Sequence, residues 1–377
     1  MTLLFWLSIK GKSNVFQRIL LGFFLLILLG AIGCVYYSVY PWPIKASNIL
    51  VFTLLYLYCV WSYQGVNLDM SRVIVFQKES HVLIFFLAYL IGVVLYMAVF
   101  VPKAIGTFQL GDFLQSYQEM RNGTIDRFDN TIQKWLYYFA YRLNFPALIV
   151  GFNYLCDNKI AKGVSIILAA VSVVLVWAIY IVSRTEIFQI IIVLFVLFLL
   201  YRKYMPQKVL KGFSIVLLVS FAIVSFAVFL ITASRTAFKS DNLWVFNYFG
   251  RSLLTFNSIM EYPVTAKDGI YFLGTQTYFN IAHPSYDGHE FVCLFGRMYM
   301  DFGWLGLLVF LSMPLFLPKK KISLPDFYML LWIFDTILLG VMYSNFTISE
   351  IIFAILIYIS LKLFFHSPSI RWKSTKN

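Results

Sequence analysis

The chain has 377 residues, of which 61% are hydrophobic and only 12% charged, with a net charge of +13. A soluble domain carries roughly 45–50% apolar and about 25% charged residues, so this composition excludes an ordinary water-soluble fold. The positive charge does not point to nucleic acid, because Lys and Arg lie in short clusters between long apolar runs. Such clusters act as orientation signals and contacts for anionic lipid.

Each crossing of a ~30 Å hydrocarbon layer needs about 20 apolar residues. The first run, approximately 19–40, follows Lys10, Lys12 and Arg18 and reads as an uncleaved first helix rather than a signal peptide. Further spans are expected at approximately 49–64, 81–101, 135–155, 163–182, 186–201, 213–231, 291–317, 324–344 and 347–365. The fold class is therefore all-α: a polytopic integral membrane protein with about ten transmembrane helices, treated as one transmembrane domain over 1–377.

Placing the N-terminus in the cytoplasm puts Lys159, Lys162, Arg202, Lys203, Lys208, Lys211, Lys319, Lys320, Lys321 and Arg371 on the cytoplasmic side. That is the positive-inside pattern, and it puts both termini in the cytoplasm. The cytoplasmic loops are then short and leave no room for a nucleotide-binding domain. Two long external loops are expected, at 102–134 and 232–290. Long polar loops in a compact protein are usually functional or disordered. The second carries Trp244, Phe246, Tyr248 and Phe249, which predicts a segment at the membrane surface.

Cys34, Cys59, Cys156 and Cys293 form neither a CxxC pair nor a Cys/His cluster, so neither a disulfide frame nor a metal is expected. No cofactor motif is present, neither GxxxxGK[ST] nor HExxH nor GxGxxG. The strongest internal signal is a repeated tripeptide, Ser183-Arg184-Thr185 and Ser234-Arg235-Thr236, with each copy following a span on the expected external side. One arginine at a helix end snorkels to the interface as a matter of course; two on one face suggest a functional pair. Arg142 in the fourth span, Arg251 in the aromatic segment and Arg297 at the start of the eighth span join that face. An arginine within a span costs roughly 2.5–3.5 kcal/mol on insertion scales, so it needs a partner or a polar cavity. Asp335 in the ninth span is a structural partner for Arg142, and Asp301, four residues after Arg297, is one for Arg297.

Guanidinium groups bind phosphate oxygens through a bidentate fork. Arg184, Arg235 and Arg297, with Arg142 and Arg251 behind them, are therefore read as ligands of a lipid-linked pyrophosphate. His283, Asp287, His289 and Glu290 precede the eighth span; a general base for a hydroxyl is sought among them, and a plain solvated loop is the alternative.

The short cytoplasmic turns, the arginine-bearing span ends and the late loop leading into Tyr299-Met300-Asp301-Phe302-Gly303-Trp304-Leu305-Gly306 resemble the O-antigen (oligosaccharide repeat unit) polymerases of bacteria. So do Ser183-Arg184-Thr185 before an apolar run and Asp301 followed by Gly303 and Gly306. The resemblance implies a glycosyltransferase of the bacterial inner membrane that polymerises repeat units carried on undecaprenyl pyrophosphate. It implies membrane lipids, a chain-length regulator and a flippase as partners, and no nucleic acid. His289, Glu290 and Asp301 are the candidates for activating the acceptor or orienting the arginines. Gly288-His289-Glu290-Phe291 departs from the Asn-Tyr-Thr or His-Asn stretch of relatives. Two alternatives share the layout: an O-antigen ligase, and a lipid-linked oligosaccharide flippase or transporter.

Overall fold

The computed structural model describes residues 14–37, 43–66, 68, 70, 73, 79–109, 128–181, 183, 185–215, 222, 244–261, 293–319, 322–340 and 347–364. Eleven helices organise them: α1 Val15–Tyr36, α2 Ala46–Ser62, α3 Glu79–Gln109, α4 Thr131–Arg142, α5 Asn144–Cys156, α6 Ile160–Tyr180, α7 Thr185–Tyr201, α8 Trp244–Glu261, α9 Leu294–Ser312, α10 Leu324–Gly340 and α11 Ile348–Phe364. Four stretches are long and apolar enough to cross a membrane: Val15–Tyr36, Val82–Thr107, Ile160–Tyr180 and Leu294–Ser312. With the shorter apolar helices α2 and α7, they make the chain a polytopic helical membrane protein. The expected seventh span, 213–231, lies mostly outside the described residues.

The helices pack as two compact units. The first comprises Met1–Leu68, Asp241–Lys321 and Met329–Leu356; the second comprises Asp69–Ser240, Ile322–Tyr328 and Ile357–Asn377.

In the first unit α1 begins with a capping box. The Asn14 side chain accepts from the Gln17 amide and the Gln17 side chain accepts from the Asn14 amide, which satisfies two donors that open every helix. Phe24 stacks on Tyr56 of α2 at 4.7 Å between ring centroids, and the Tyr56 hydroxyl donates to the Leu20 carbonyl. The partner of α1 is α8. A Cβ on Gly30 would lie 2.6 Å from the Gly250 nitrogen, so the two backbones meet with no side chain between them. Close approach of this kind is how helices associate where lipid supplies no hydrophobic drive.

α8 departs from expectation, since it occupies part of the stretch read as the external loop 232–290. Residues 252–259 are buried on every side. Asn257 then ties α8 to the α1–α2 connection. It accepts from the Lys45 amide at 3.0 Å and from the Asn48 amide group, and it donates to the Pro43 carbonyl at 2.9 Å. Lys45 closes the same corner on Glu261 at 2.6 Å.

In the second unit α3 runs unbroken through Pro102 to Gln109. The stretch 102–134, expected as a loop, thus starts as helix. Its 31 residues extend about 46 Å at 1.5 Å per residue, well beyond a ~30 Å apolar layer. Lys103 fixes the projecting end, bridging to Asp129 at 2.7 Å and to Gln133 at 2.9 Å. Beneath it Phe100 packs edge to face on Phe128 and Trp177, Phe128 stacks on Trp177, and Tyr137 lies tilted against Trp177. At the other end of this unit Asn153 donates to the Val73 carbonyl and accepts from the Tyr201 hydroxyl at 2.7 Å.

Candidate functional site

Arg184, Arg235, His289 and Glu290 lie outside the described residues, as do His283 and Asp287. The remaining candidates fall into both units. Arg251, Arg297, Asp301 and Asp335 belong to the first, and Arg142 belongs to the second.

α9 carries the main geometric surprise. The expected span 291–317 is not one straight helix, because Gly303 adopts φ 60° and ψ −145° and breaks it. That backbone conformation is open essentially to glycine alone. Beyond the break, Gly306 comes against the Met298 carbonyl. In a straight helix, residues eight apart sit about 12 Å apart along the axis, so the two halves are folded sharply onto each other. The glycines of the Asp301-Phe302-Gly303-Trp304-Leu305-Gly306 run therefore have separate jobs: one makes the break, and the other lets the halves close.

The two halves meet different surroundings. Leu294, Phe295, Arg297, Met298, Met300 and Asp301 are buried before the break. After it Trp304, Leu305, Leu308 and Val309 are each more than half exposed, an apolar face suited to lipid. Arg297 is 6% exposed and Asp301 1%. Four residues apart on one half-helix, they share a face, and neither is left to meet hydrocarbon. Cys293 caps this half-helix, its sulfur accepting from the Gly296 amide at 3.3 Å.

Two neighbours bring further charge. α8, which carries the half-buried Arg251, packs against α9. Gly340 of α10 sits against Leu294, so that a Cβ there would lie 3.0 Å from the Leu294 side chain. Measured along the helices from that contact, Arg297, Asp301 and Asp335 are each within about 10.5 Å. Asp335 itself is 6% exposed. Within the first unit the touching helices α8, α9 and α10 thus carry Arg251, Arg297, Asp301 and Asp335, and none of the four is without a partner.

In the second unit Arg142 stands elsewhere than the sequence suggested. It is the last residue of α4 rather than an interior residue of a continuous fourth span. Pro146 explains the correction. Without an N–H it cannot donate to the Arg142 carbonyl four residues back, and the helix breaks at Leu143 before α5 begins. At this position the guanidinium complements the negative end of the α4 dipole. It lies 5.9 Å from the Tyr138 ring centroid and 5.8 Å from that of Tyr141, within cation–π range. The Tyr141 hydroxyl donates to Gln189 of α7 at 3.2 Å, one turn beyond the buried Glu186.

Asn144, absent from the sequence expectations, opens α5 at 2% exposure. The Tyr89 hydroxyl donates to its Oδ1 at 2.6 Å. The signal was legible: an Asn-x-Pro run directly after an in-span arginine marks an interruption. Among the described residues no group of three or more His, Cys, Asp or Glu is placed to hold a metal ion.

Fold and site together define a polytopic helical membrane protein with a broken helix that keeps its charged residues inside the protein. Comparison with protein-family models, curated proteins and solved structures finds no match for the chain.

Proposed function

We propose that the protein is a lipid-pyrophosphate-dependent glycosyltransferase that polymerises oligosaccharide repeat units on the external face of the bacterial inner membrane. One observation carries the reading. The acidic-GxxG run that resembles the repeat-unit polymerases is the place where α9 breaks and shelters Arg297 and Asp301. A pattern with a geometric purpose is stronger support than a string of letters.

In the proposed reaction a hydroxyl of one lipid-linked repeat unit attacks the anomeric carbon of the growing glycan. The new glycosidic C–O bond forms as the C–O bond to undecaprenyl pyrophosphate breaks. The pyrophosphate takes the bonding electron pair, and the hydroxyl proton passes to a base, with His289 and Glu290 as candidates. Negative charge grows on the leaving group, so fixed guanidinium groups lower the barrier without a metal. Arg297 and Arg251, which share the first unit, are the groups proposed for this, and Arg142, Arg184 and Arg235 stand as candidates from the sequence. Asp301 orients Arg297, four residues before it on the same face. The substrates arrive activated, which suits a chain whose expected cytoplasmic loops hold no nucleotide domain.

The broken helix also favours a second reading. Secondary transporters bind substrate at discontinuous helices, and a lipid-oligosaccharide flippase would use the same charges. The purified full chain, reconstituted in vesicles without any ion gradient, separates the two. The enzyme reading expects lipid-linked repeat units to be lengthened, with a loss of at least about tenfold in Arg297→Ala, as for one removed charge-stabilising donor. Gradient-dependent movement of the lipid with no lengthening would replace the enzyme reading with the transport one.

A further inference from the structure

The second unit gathers exposed cations at one end. Two turns far apart in the chain meet there. The α5–α6 turn carries Lys159 and Lys162, and the turn after α7 carries Arg202, Lys203, Lys208 and Lys211. Packing brings them together. The Tyr201 hydroxyl donates to Asn153 at 2.7 Å, and Phe213 rests on Phe152 of α5 at 5.2 Å and on Phe198 of α7 at 6.0 Å between ring centroids. Buried Met205 and Val209 fasten the second turn down, while Arg202, Lys203, Lys208 and Lys211 stay exposed around them. The ammonium groups of Lys159 and Lys162 stand 5.9 and 5.8 Å from the centroid of one ring, that of Tyr154. Asp157 is the one acid in 153–163 and 201–215, and it bridges to Lys159 at 3.0 Å.

Orientation in the membrane asks only that basic residues lie in the loops; it does not ask two such turns to pack together. Charges of one sign repel and destabilise the compact state unless an anion joins them. Lys159 and Lys162 also sit at the opening of α6, and Lys208 and Lys211 at the opening of the helical stretch 207–215, the end where a helix dipole opposes cations. The adjoining surface shows which anion fits. α6 leaves its turn with Ile160, Val164 and Leu168 exposed, four apart on one face. Tyr204, also exposed, stands in the other turn, and tyrosine is the residue type favoured at headgroup depth. Positive charge bordering an apolar face matches a molecule with an anionic head and apolar tails. We propose that the α5–α6 turn and the turn after α7 together form a binding site for the headgroup of an anionic phospholipid. Such a site is independent of the proposed function.

The test titrates dioctanoyl phosphatidylglycerol into the purified full chain in zwitterionic detergent at low salt and follows thermal unfolding. Dioctanoyl phosphatidylcholine has the same tails without net charge, and glycerol phosphate has the charge without tails. The expected result is a rise in unfolding temperature with phosphatidylglycerol and with neither of the others. Each removed cation should weaken the lipid about fivefold, so Lys208→Gln with Lys211→Gln should need about 25-fold more phosphatidylglycerol for the same rise. Arg202→Gln with Lys203→Gln should do likewise, and it keeps the reading open if the first double variant does not fold. Lys319→Gln with Lys320→Gln, in the first unit and on the same expected face, should titrate like the wild type. No response of the wild type to phosphatidylglycerol, or an equal response to phosphatidylcholine, overturns recognition of the charge. Equal stabilisation by glycerol phosphate overturns the assignment to a lipid. Wild-type titration in the folded double variants, or an equal loss in the Lys319–Lys320 control, overturns the site.

Discussion

Gly303→Ala isolates the break in α9. A Cβ at this position meets nothing within 4 Å, so the substitution adds no steric overlap and acts through the backbone alone. Holding alanine at φ 60° and ψ −145° costs about 1–3 kcal/mol. A straightened helix would in addition gain about 1 kcal/mol from replacing glycine by alanine. The combined bias against the broken form is then about 2–4 kcal/mol, which shifts its equilibrium by a factor of about 30 to 1,000. Straightening would carry Gly306 away from the Met298 carbonyl and pull Arg297 and Asp301 out of their buried setting. The assay is thermal unfolding of the purified protein in detergent, run alongside surface-glycan ladders from cells. Gly22→Ala in α1 is the control, because it too has open space around its Cβ but lies in regular helix. Gly303→Ala should lower the unfolding temperature and shorten the ladder to single repeat units, while Gly22→Ala should do neither. An unchanged melting temperature and a full ladder in Gly303→Ala, at normal protein levels, would refute the argument from the break.

Gly250→Ala should destabilise by about 1–3 kcal/mol, as overpacking does, because its Cβ would run into the Gly30 and Ala31 backbone; differential unfolding against Gly22→Ala measures this. Pro146→Ala restores an N–H for the Arg142 carbonyl and should let α4 and α5 join. Unfolding temperature should then rise while glycan lengthening falls, and a rise in both would detach Arg142 from function. At the α3–α4 corner, hydrogen bonds from Lys103 and Gln133 hold the Asp129 carboxyl below the usual carboxylate range. A lowered folded-state pKa contributes stability that is present above the unfolded value of about 3.9 and is lost as pH falls through the folded value. Protection of the amides at the start of α4, taken against their intrinsic exchange rate at each pH, should therefore fall below about pH 4 in the wild type, and Asp129→Asn should flatten that dependence.

The class of fold could be read from composition, because only lipid accepts so much apolar surface. Helix continuity could not be read in the same way. Hydropathy averages over a window and does not register one residue with positive φ, so 291–317 appears as a single span although Gly303 divides it. Likewise 135–155 looks uniform although Pro146 removes the one donor that continuity needs. α8 escaped detection for another reason. Ser252, Thr255, Asn257 and Ser258 lower its hydropathy, yet each is at most 1% exposed, since tertiary packing against α1 supplies what lipid would not. The arginines were found by residue type, and their depth and company were not. Arg297 and Asp301 are both buried, whereas the burial of Asn144 follows from its place after the break and not from its residue type.

The Gly30–Gly250 contact has a consequence for how the protein is made. The two glycines are separated by about 220 residues of chain, and ribosomes add about 5–20 residues per second. After α1 is synthesised, its partner face therefore waits on the order of 10–40 seconds before α8 exists. During that interval the notch at Gly30 is open to lipid, or to whatever insertion factor occupies it. A helix as polar as α8 is poorly suited to partition into the bilayer alone, so its docking on α1 is a late assembly step. Substitutions at either glycine should accordingly show their first effect as degraded newly made chains, before any defect in the activity of mature protein.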